Sequence, residues 1–301
     1  MNPLRGISLK LGAVLVFIIM ASLIKATTHH VPAGEAVFFR SFFAIPVIVG
    51  WLAVQGQLRT GFHAANPIGH VWRGLMGTMG MGLGFAGLGY LPLPEVTAIG
   101  YASPLLVVIF AAMFLGEQVR AFRIGCVALG LTGVLIILSP RLSVVPGSAT
   151  SLAEQLGAMV VLTSALCSAL AQVFLRKLIV TETTSSVVFY FSCTSAMLSL
   201  ATIPFGWVWP TPFEAVLLVG AGLIGGVGQI LLTSCYRYAD ASLVAPFDYA
   251  SMLFALIIGY FVFSEVPTIT MLIGAALVVT AGILIIWRER QLGLRRANAP
   301  E

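Results

Sequence analysis

Apolar runs recur along the chain, each closed by charged residues, glycine or proline. A helix needs about 20 hydrophobic residues to cross a bilayer. Ten runs are near that length, at about 7–27, 35–55, 68–90, 95–115, 120–139, 152–178, 184–204, 213–236, 241–263 and 268–288. Connections are at most about ten to fifteen residues, so no soluble domain fits between runs. The pattern predicts an all-α integral membrane protein with ten transmembrane helices. The start, with Arg5 and Lys10 ahead of an apolar run, has signal-peptide features. A second run follows closely, and the first is read as a retained helix.

The runs are not independent. Shifting the chain by 148 residues aligns 74–117 with 222–265 without a gap, and 13 of 44 positions are identical. About four or five matches would arise by chance at this composition. The matches include Gly74/Gly222, Gly77/Gly225, Gly80/Gly228, Tyr90/Tyr238, Tyr101/Tyr249, Ser103/Ser251 and Glu117/Glu265. With one more residue of shift, Gly125 meets Gly274, and Gly133-Val-Leu-Ile-Ile meets Gly282-Ile-Leu-Ile-Ile. Two five-helix repeats follow, residues 1–145 and 146–301, the second ending in a short basic tail. Five crossings are odd, so the second repeat starts on the opposite side of the membrane. Inverted repeats of this kind characterise secondary transporters that bind substrate near the midplane, between the halves.

Composition sharpens this picture. Of 301 residues, 59% are hydrophobic and 9% charged, against about 45–50% and about 25% in soluble domains. A mean hydropathy of +1.02 argues against a soluble enzyme, a nucleic-acid binder and a disordered chain. The net charge of +5 comes from bases clustered at the ends of the runs, where it reads as topology. With the N-terminus in the cytoplasm, 13 of the 16 Lys and Arg face inward, leaving Lys25, Arg40 and Arg141 outside. Both termini are therefore assigned to the cytoplasmic face of a bacterial-type inner membrane. The five tryptophans lie near run ends, as interfacial anchors do. The four cysteines fall inside apolar stretches and read as reduced packing residues.

Gly82-Leu-Gly84-Phe-Ala-Gly87 has the letters of a dinucleotide fingerprint. That site needs a strand before it, whereas this one lies within an apolar run, where glycine lets membrane helices approach closely. No Walker sequence or Ser-His-Asp set is present. The four histidines lie in or beside loops, and neither a metal site nor a cofactor is expected.

Candidate chemistry lies in the few polar residues within runs, where ionisable groups mark pathways or partners. Asp248 lies about eight residues into the ninth run, about 10 Å deep at about 1.5 Å per residue. Its repeat equivalent is Gly100, so duplication does not require it. It could bind substrate, carry a proton, or pair with an unidentified Lys or Arg. Arg40 lies among four phenylalanines, and its fork suits a carboxylate or phosphate of the substrate, or an acid on a neighbouring helix. Arg73 reads as a cytoplasmic-rim residue and Lys25 as a snorkelling one. Tyr101 and Tyr249, each followed by Ala-Ser, are read as cavity lining together with Ser103. Gln229 and Tyr236 share a face of the eighth run, and Gln172 occupies the sixth. All three could line a cavity or join helices. Glu117 and Glu265 end the fourth and ninth runs on opposite faces, as gates or as loop caps.

Several stretches resemble the EamA-type branch of the drug/metabolite transporter superfamily. They are Glu35-Ala-Val-Phe-Phe-Arg40, Arg73-Gly74, Phe114-Leu-Gly-Glu117, Ala245-Pro246 and Phe263-Ser-Glu265. The first two look most like uptake carriers for S-adenosylmethionine and riboflavin. The resemblance implies alternating access in a ten-helix bundle without ATP hydrolysis, and no enzymatic activity. An exporter of amino acids or drugs on the same fold is the alternative; a lipid-modifying membrane enzyme would need a catalytic constellation the chain lacks. Expected partners are the bilayer and a small-molecule substrate, with possible proton coupling, no nucleic acid, and a monomeric or weakly dimeric state.

Overall fold

The computed structural model describes residues 3–56, 58, 62, 64–115, 121–142, 152–178, 181–238 and 245–297. Among them, all regular structure is helical: α1 (Pro3–Lys25), α2 (Ala33–Val54), α3 (Pro67–Tyr90), α4 (Leu93–Gly100), α5 (Ala102–Leu115), α6 (Ala121–Leu142), α7 (Leu152–Leu178), α8 (Thr184–Leu200), α9 (Pro212–Tyr238), α10 (Ala250–Phe263) and α11 (Ile269–Ala297), with 3-10 turns at Ile203–Phe205 and Ala245–Tyr249. Six stretches are long and apolar enough to cross a bilayer: Leu4–Lys25, Ala33–Val54, Leu93–Phe114, Leu152–Leu175, Pro212–Leu232 and Ile269–Arg288. Ile124–Pro140, Ser185–Leu200 and Phe247–Phe263 are shorter apolar helices. In α3, His70, Arg73 and eight glycines dilute the hydropathy of a 24-residue helix.

Local chemistry sets the ends. The Asn66 side chain accepts the Gly69 N–H at 2.9 Å, with Pro67 at the first helical position of α3. Thr183 caps α8 by accepting the Ser186 N–H at 3.3 Å. The fourth run is not one helix, as the hydropathy pattern suggests, but α4 and α5 parted at Tyr101. Pro104 accounts for this. It has no N–H for the Gly100 carbonyl, and its ring crowds that carbonyl. The ninth run breaks at the equivalent place, with Tyr249 ending the 3-10 turn ahead of α10. Ser264 ends α10 in the left-handed conformation (φ 56°), and the Glu265 N–H turns back onto the Gly259 carbonyl at 2.9 Å.

Glycine governs the helix contacts. A Cβ on Gly80 of α3 would lie 2.6 Å from Ser168 Oγ and 3.0 Å from the Ser168 backbone N on α7, and the Ser164 hydroxyl donates to the Gly80 carbonyl at 2.5 Å. Gly84 faces Ser164 and Gly87 faces Val161, so the fingerprint-like stretch packs helices. On α9, Gly225 and Gly228 meet Met20 and Phe17 of α1. Buried apolar residues from α4–α7, α10 and α11 form the largest core cluster, around Leu105, Leu138, Val161, Met271 and Val278.

Acidic side chains tie the connections down. Glu214 Oε2 accepts from Thr211 and lies 2.9 Å from His30 Nδ1, joining the start of α9 to the α1–α2 connection. Glu182 Oε1 accepts the Asn66 N–H at 2.6 Å and lies 3.4 Å from His70 Nε2, joining the α7–α8 connection to the start of α3.

Candidate functional site

Three polar groupings stand out against this apolar framework. The first lies where the breaks in the fourth and ninth runs meet. Tyr101 and Tyr249 pack edge to face, with ring centroids 5.1 Å apart. The Ser251 hydroxyl donates to the Asp248 carbonyl at 2.7 Å, and so accepts from the Tyr101 hydroxyl at 2.5 Å. The Asp248 carboxylate meets α1, where Oδ1 sits 2.8 Å from Lys10 Nζ. The Tyr249 hydroxyl is seated against Gly282 of α11. Tyr101 is buried, whereas Tyr249 and Asp248 remain partly accessible.

Sequence reasoning placed the two tyrosines and Asp248 within one candidate site but missed Lys10 and Ser251. Lys10 counted there as a topological charge. Ser251 was legible as the equivalent of Ser103. Asp248 itself lies in the 3-10 turn ahead of α10, a correction to its expected place within a continuous helix. Ser103 and Gln172 form a separate contact between α5 and α7, with Gln172 Nε2 donating to Ser103 Oγ at 3.1 Å. Gln229 is half-buried on α9, beside the Gly228–Phe17 contact. Glu117 and the Tyr236 side chain lie outside the described residues.

The second grouping is basic. Arg40 of α2 and Arg73 of α3 both approach the Phe191 ring of α8, with guanidinium carbons 5.9 Å and 4.2 Å from its centroid. Arg73 thus lies within the bundle beside Arg40, which corrects its expected place at the rim. Space comes from the equivalent glycines: Gly77 lies against the Arg73 guanidinium, and a Cβ on Gly225 would lie 3.5 Å from Arg40 Nε.

The third grouping closes one end of the bundle. Lys25 Nζ lies 2.9 Å from Glu265 Oε1 and donates to the Leu91 and Leu88 carbonyls at 2.9 and 3.1 Å. Glu265 Oε2 accepts the Leu93 N–H at 2.9 Å. Lys25 is therefore a structural tie and not a snorkelling residue. A cavity of about 490 Å³ adjoins the pair, lined among others by His29, Tyr90 and Phe263. Among the described residues, no group of three or more His, Cys, Asp or Glu could hold a metal ion.

The sequence profile of the EamA-like transporter family matches residues 4–139 and again residues 155–287. The chain belongs to this family. Its two matches fall on the two halves of an integral membrane protein of the drug/metabolite transporter superfamily. An S-adenosylmethionine uptake transporter of Rickettsia bellii is 29% identical over 259 residues, covering 85% of this chain and 84% of that protein. A pseudopaline exporter of Pseudomonas aeruginosa is 31% identical over 287 residues, covering 93% and 95%. A riboflavin transporter of Rhizobium johnstonii is 28% identical over 275 residues, covering 89% and 84%. One solved crystal structure superposes with a TM-score of 0.66 at 21% identity, over 95% of this chain and 98% of that one. It shares the fold.

Proposed function

We propose that this protein is a secondary-active carrier that moves a small organic metabolite by alternating access, with ten spans in two inverted repeats. The observation that carries the reading is the pairing of helices. Exchanging the halves replaces α1 by α7, α2 by α8, α3 by α9, the α4–α5 pair by α10, and α6 by α11. Under that exchange the α3–α7 contact becomes α9–α1, and α2–α9 becomes α8–α3; α2–α8 and α6–α11 map onto themselves. Equivalent residues follow suit: Gly74 faces Thr194 of α8, and Gly222 faces Phe43 of α2. Two halves with interchangeable contacts can exchange their roles as the bundle rocks about a central site.

In this reading Tyr101, Tyr249, Ser103, Gln172, Gln229, Tyr236 and Arg40 line the path. Asp248 answers either a proton or a cationic substrate group that displaces Lys10. Lys25 and Glu265 close the external end, with Glu117 serving the other face. Both termini lie in the cytoplasm of a bacterial inner membrane. Uptake of S-adenosylmethionine or riboflavin is the favoured activity, supported by relatives that align over most of both chains. Export of a metabolite is the second reading, favoured by the pseudopaline exporter at 31% identity over 93% of this chain.

Proteoliposomes reconstituted with the full chain test this. Labelled S-adenosylmethionine and riboflavin should enter, or exchange against internal unlabelled solute, with or without an imposed proton gradient. Absence of both uptake and counterflow for these solutes and an amino-acid panel would refute the carrier reading.

A further inference from the structure

Buried cations in this bundle are normally matched. Lys10 has Asp248, and Lys25 has Glu265. Arg40 and Arg73 break the pattern. Neither lies in an ion pair among the described residues, and Nε and Nη1 of both are buried without a hydrogen-bond partner. Arg40 is 3% exposed. Ser41 and Ser192, next in sequence to Arg40 on α2 and to Phe191 on α8, also carry buried hydroxyls without a partner.

A guanidinium stays charged under all ordinary conditions, and an unpaired buried charge is strongly destabilising. Here two like charges share one aromatic ring, whose cation–π attraction is small beside the desolvation of either. Packing symmetry does not require them, because the position equivalent to Arg73, just before Gly222, is Ala221. The missing component is negative and absent from the described residues. A carboxylate fits, since its two oxygens match the parallel N–H donors of a guanidinium. A lipid phosphate does not reach Arg40, which helices enclose.

We propose that Arg40 and Arg73, gathered around Phe191, form an anion subsite for a substrate carboxylate, with the Ser41 and Ser192 hydroxyls as further donors. This rests on the carrier reading and narrows it. Between the two favoured solutes, S-adenosylmethionine carries a carboxylate and riboflavin carries none. The substrate's charge supplies the counter-ion that the fold omits, so the unloaded site is held at a cost in stability and the loaded one is relieved of it.

The test uses the purified full chain in detergent and its thermal unfolding midpoint. Sodium acetate and sodium succinate are compared with acetamide and with sodium chloride at equal ionic strength. The carboxylates should raise the midpoint and the controls should not. Arg40→Gln and Arg73→Gln should each weaken the response about tenfold or more, while leaving the unloaded midpoint unchanged or higher. A structural role would lower it instead. Gly77→Ala keeps both charges but displaces the Arg73 guanidinium, and should weaken the response as well. No carboxylate response in the wild type, an equal response to chloride, or a full response in both glutamine variants would overturn the subsite. Flux separates the two readings: a carboxylate response without transport sinks the carrier alone, and transport without that response sinks the subsite alone.

Discussion

Lys10 Nζ lies 2.8 Å from Asp248 Oδ1, and the pair joins α1 to the turn that precedes α10. The lysine is 2% exposed and the aspartate 50%, so the acid remains accessible while its partner does not. Removing one member of a fully buried pair costs about 3–5 kcal/mol, and less is expected here because Asp248 is half exposed. Asp248→Asn should therefore lower the unfolding midpoint, and Lys10→Met in the same chain should restore it. The double variant then separates the roles. Loss of proton-stimulated uptake in a well-folded double variant places Asp248 in coupling, whereas retained stimulation leaves it structural.

Lys25 and Glu265 should behave as a lock. Glu265→Gln removes the ion pair but can still accept the Leu93 N–H, so the fold should survive. A cysteine introduced at Thr28, beside the cavity, should react faster with a membrane-impermeant thiol reagent in that background. Equal labelling rates in the two backgrounds would show that the pair does not limit opening.

Gly125 and Gly274 are equivalent in the repeats but not in their surroundings. A Cβ on Gly125 meets nothing within 4 Å, whereas one on Gly274 would lie 2.6 Å from the Gly133 carbonyl oxygen. Gly125→Ala should stabilise by about 0.5–1 kcal/mol through helix propensity. Gly274→Ala should destabilise by about 1–3 kcal/mol, because backbone cannot yield as a side chain can. Reversible unfolding in mixed micelles measures both.

Acid should loosen the α2–α3 end of the bundle. Burial acts to raise the Glu182 carboxyl, but the Asn66 N–H and the His70 ring outweigh it and hold it below the usual carboxylate range. Its folded-state affinity for protons is thus lower than in the unfolded chain. Its contribution is complete above the ordinary value of 4.5 and is lost as pH falls through the lowered one. Glu182→Gln should reduce the unfolding midpoint near neutrality and flatten its decline below pH 4.5.

Thiol labelling in intact cells checks the orientation. Cysteines introduced near Arg59, Thr183 and the C-terminus should resist impermeant reagents, as the inward bias of 13 bases among 16 requires. External labelling at these positions would invert the assignment of the Lys25–Glu265 end.

The sequence by itself determined the membrane class, because apolar runs of bilayer length leave no soluble alternative. It also exposed the duplication, and through it the shared positions of Tyr101 and Tyr249. The tertiary structure decided which charges meet. Lys10 and Asp248 stand at opposite ends of the chain, and hydropathy assigns a lysine near a helix start to topology whether it meets lipid headgroups or an aspartate. Arg73 looked like a rim residue for the same reason. Its place beside Arg40 depends on the rotation of α3 against α8, which the Gly77 contact with Phe191 allows. The break at Tyr101 was within reach of the sequence through Pro104, but the meeting of both breaks, edge to face, required two distant runs to pack together. Periodicity reports what each helix prefers to bury; only packing selects the neighbour it is buried against.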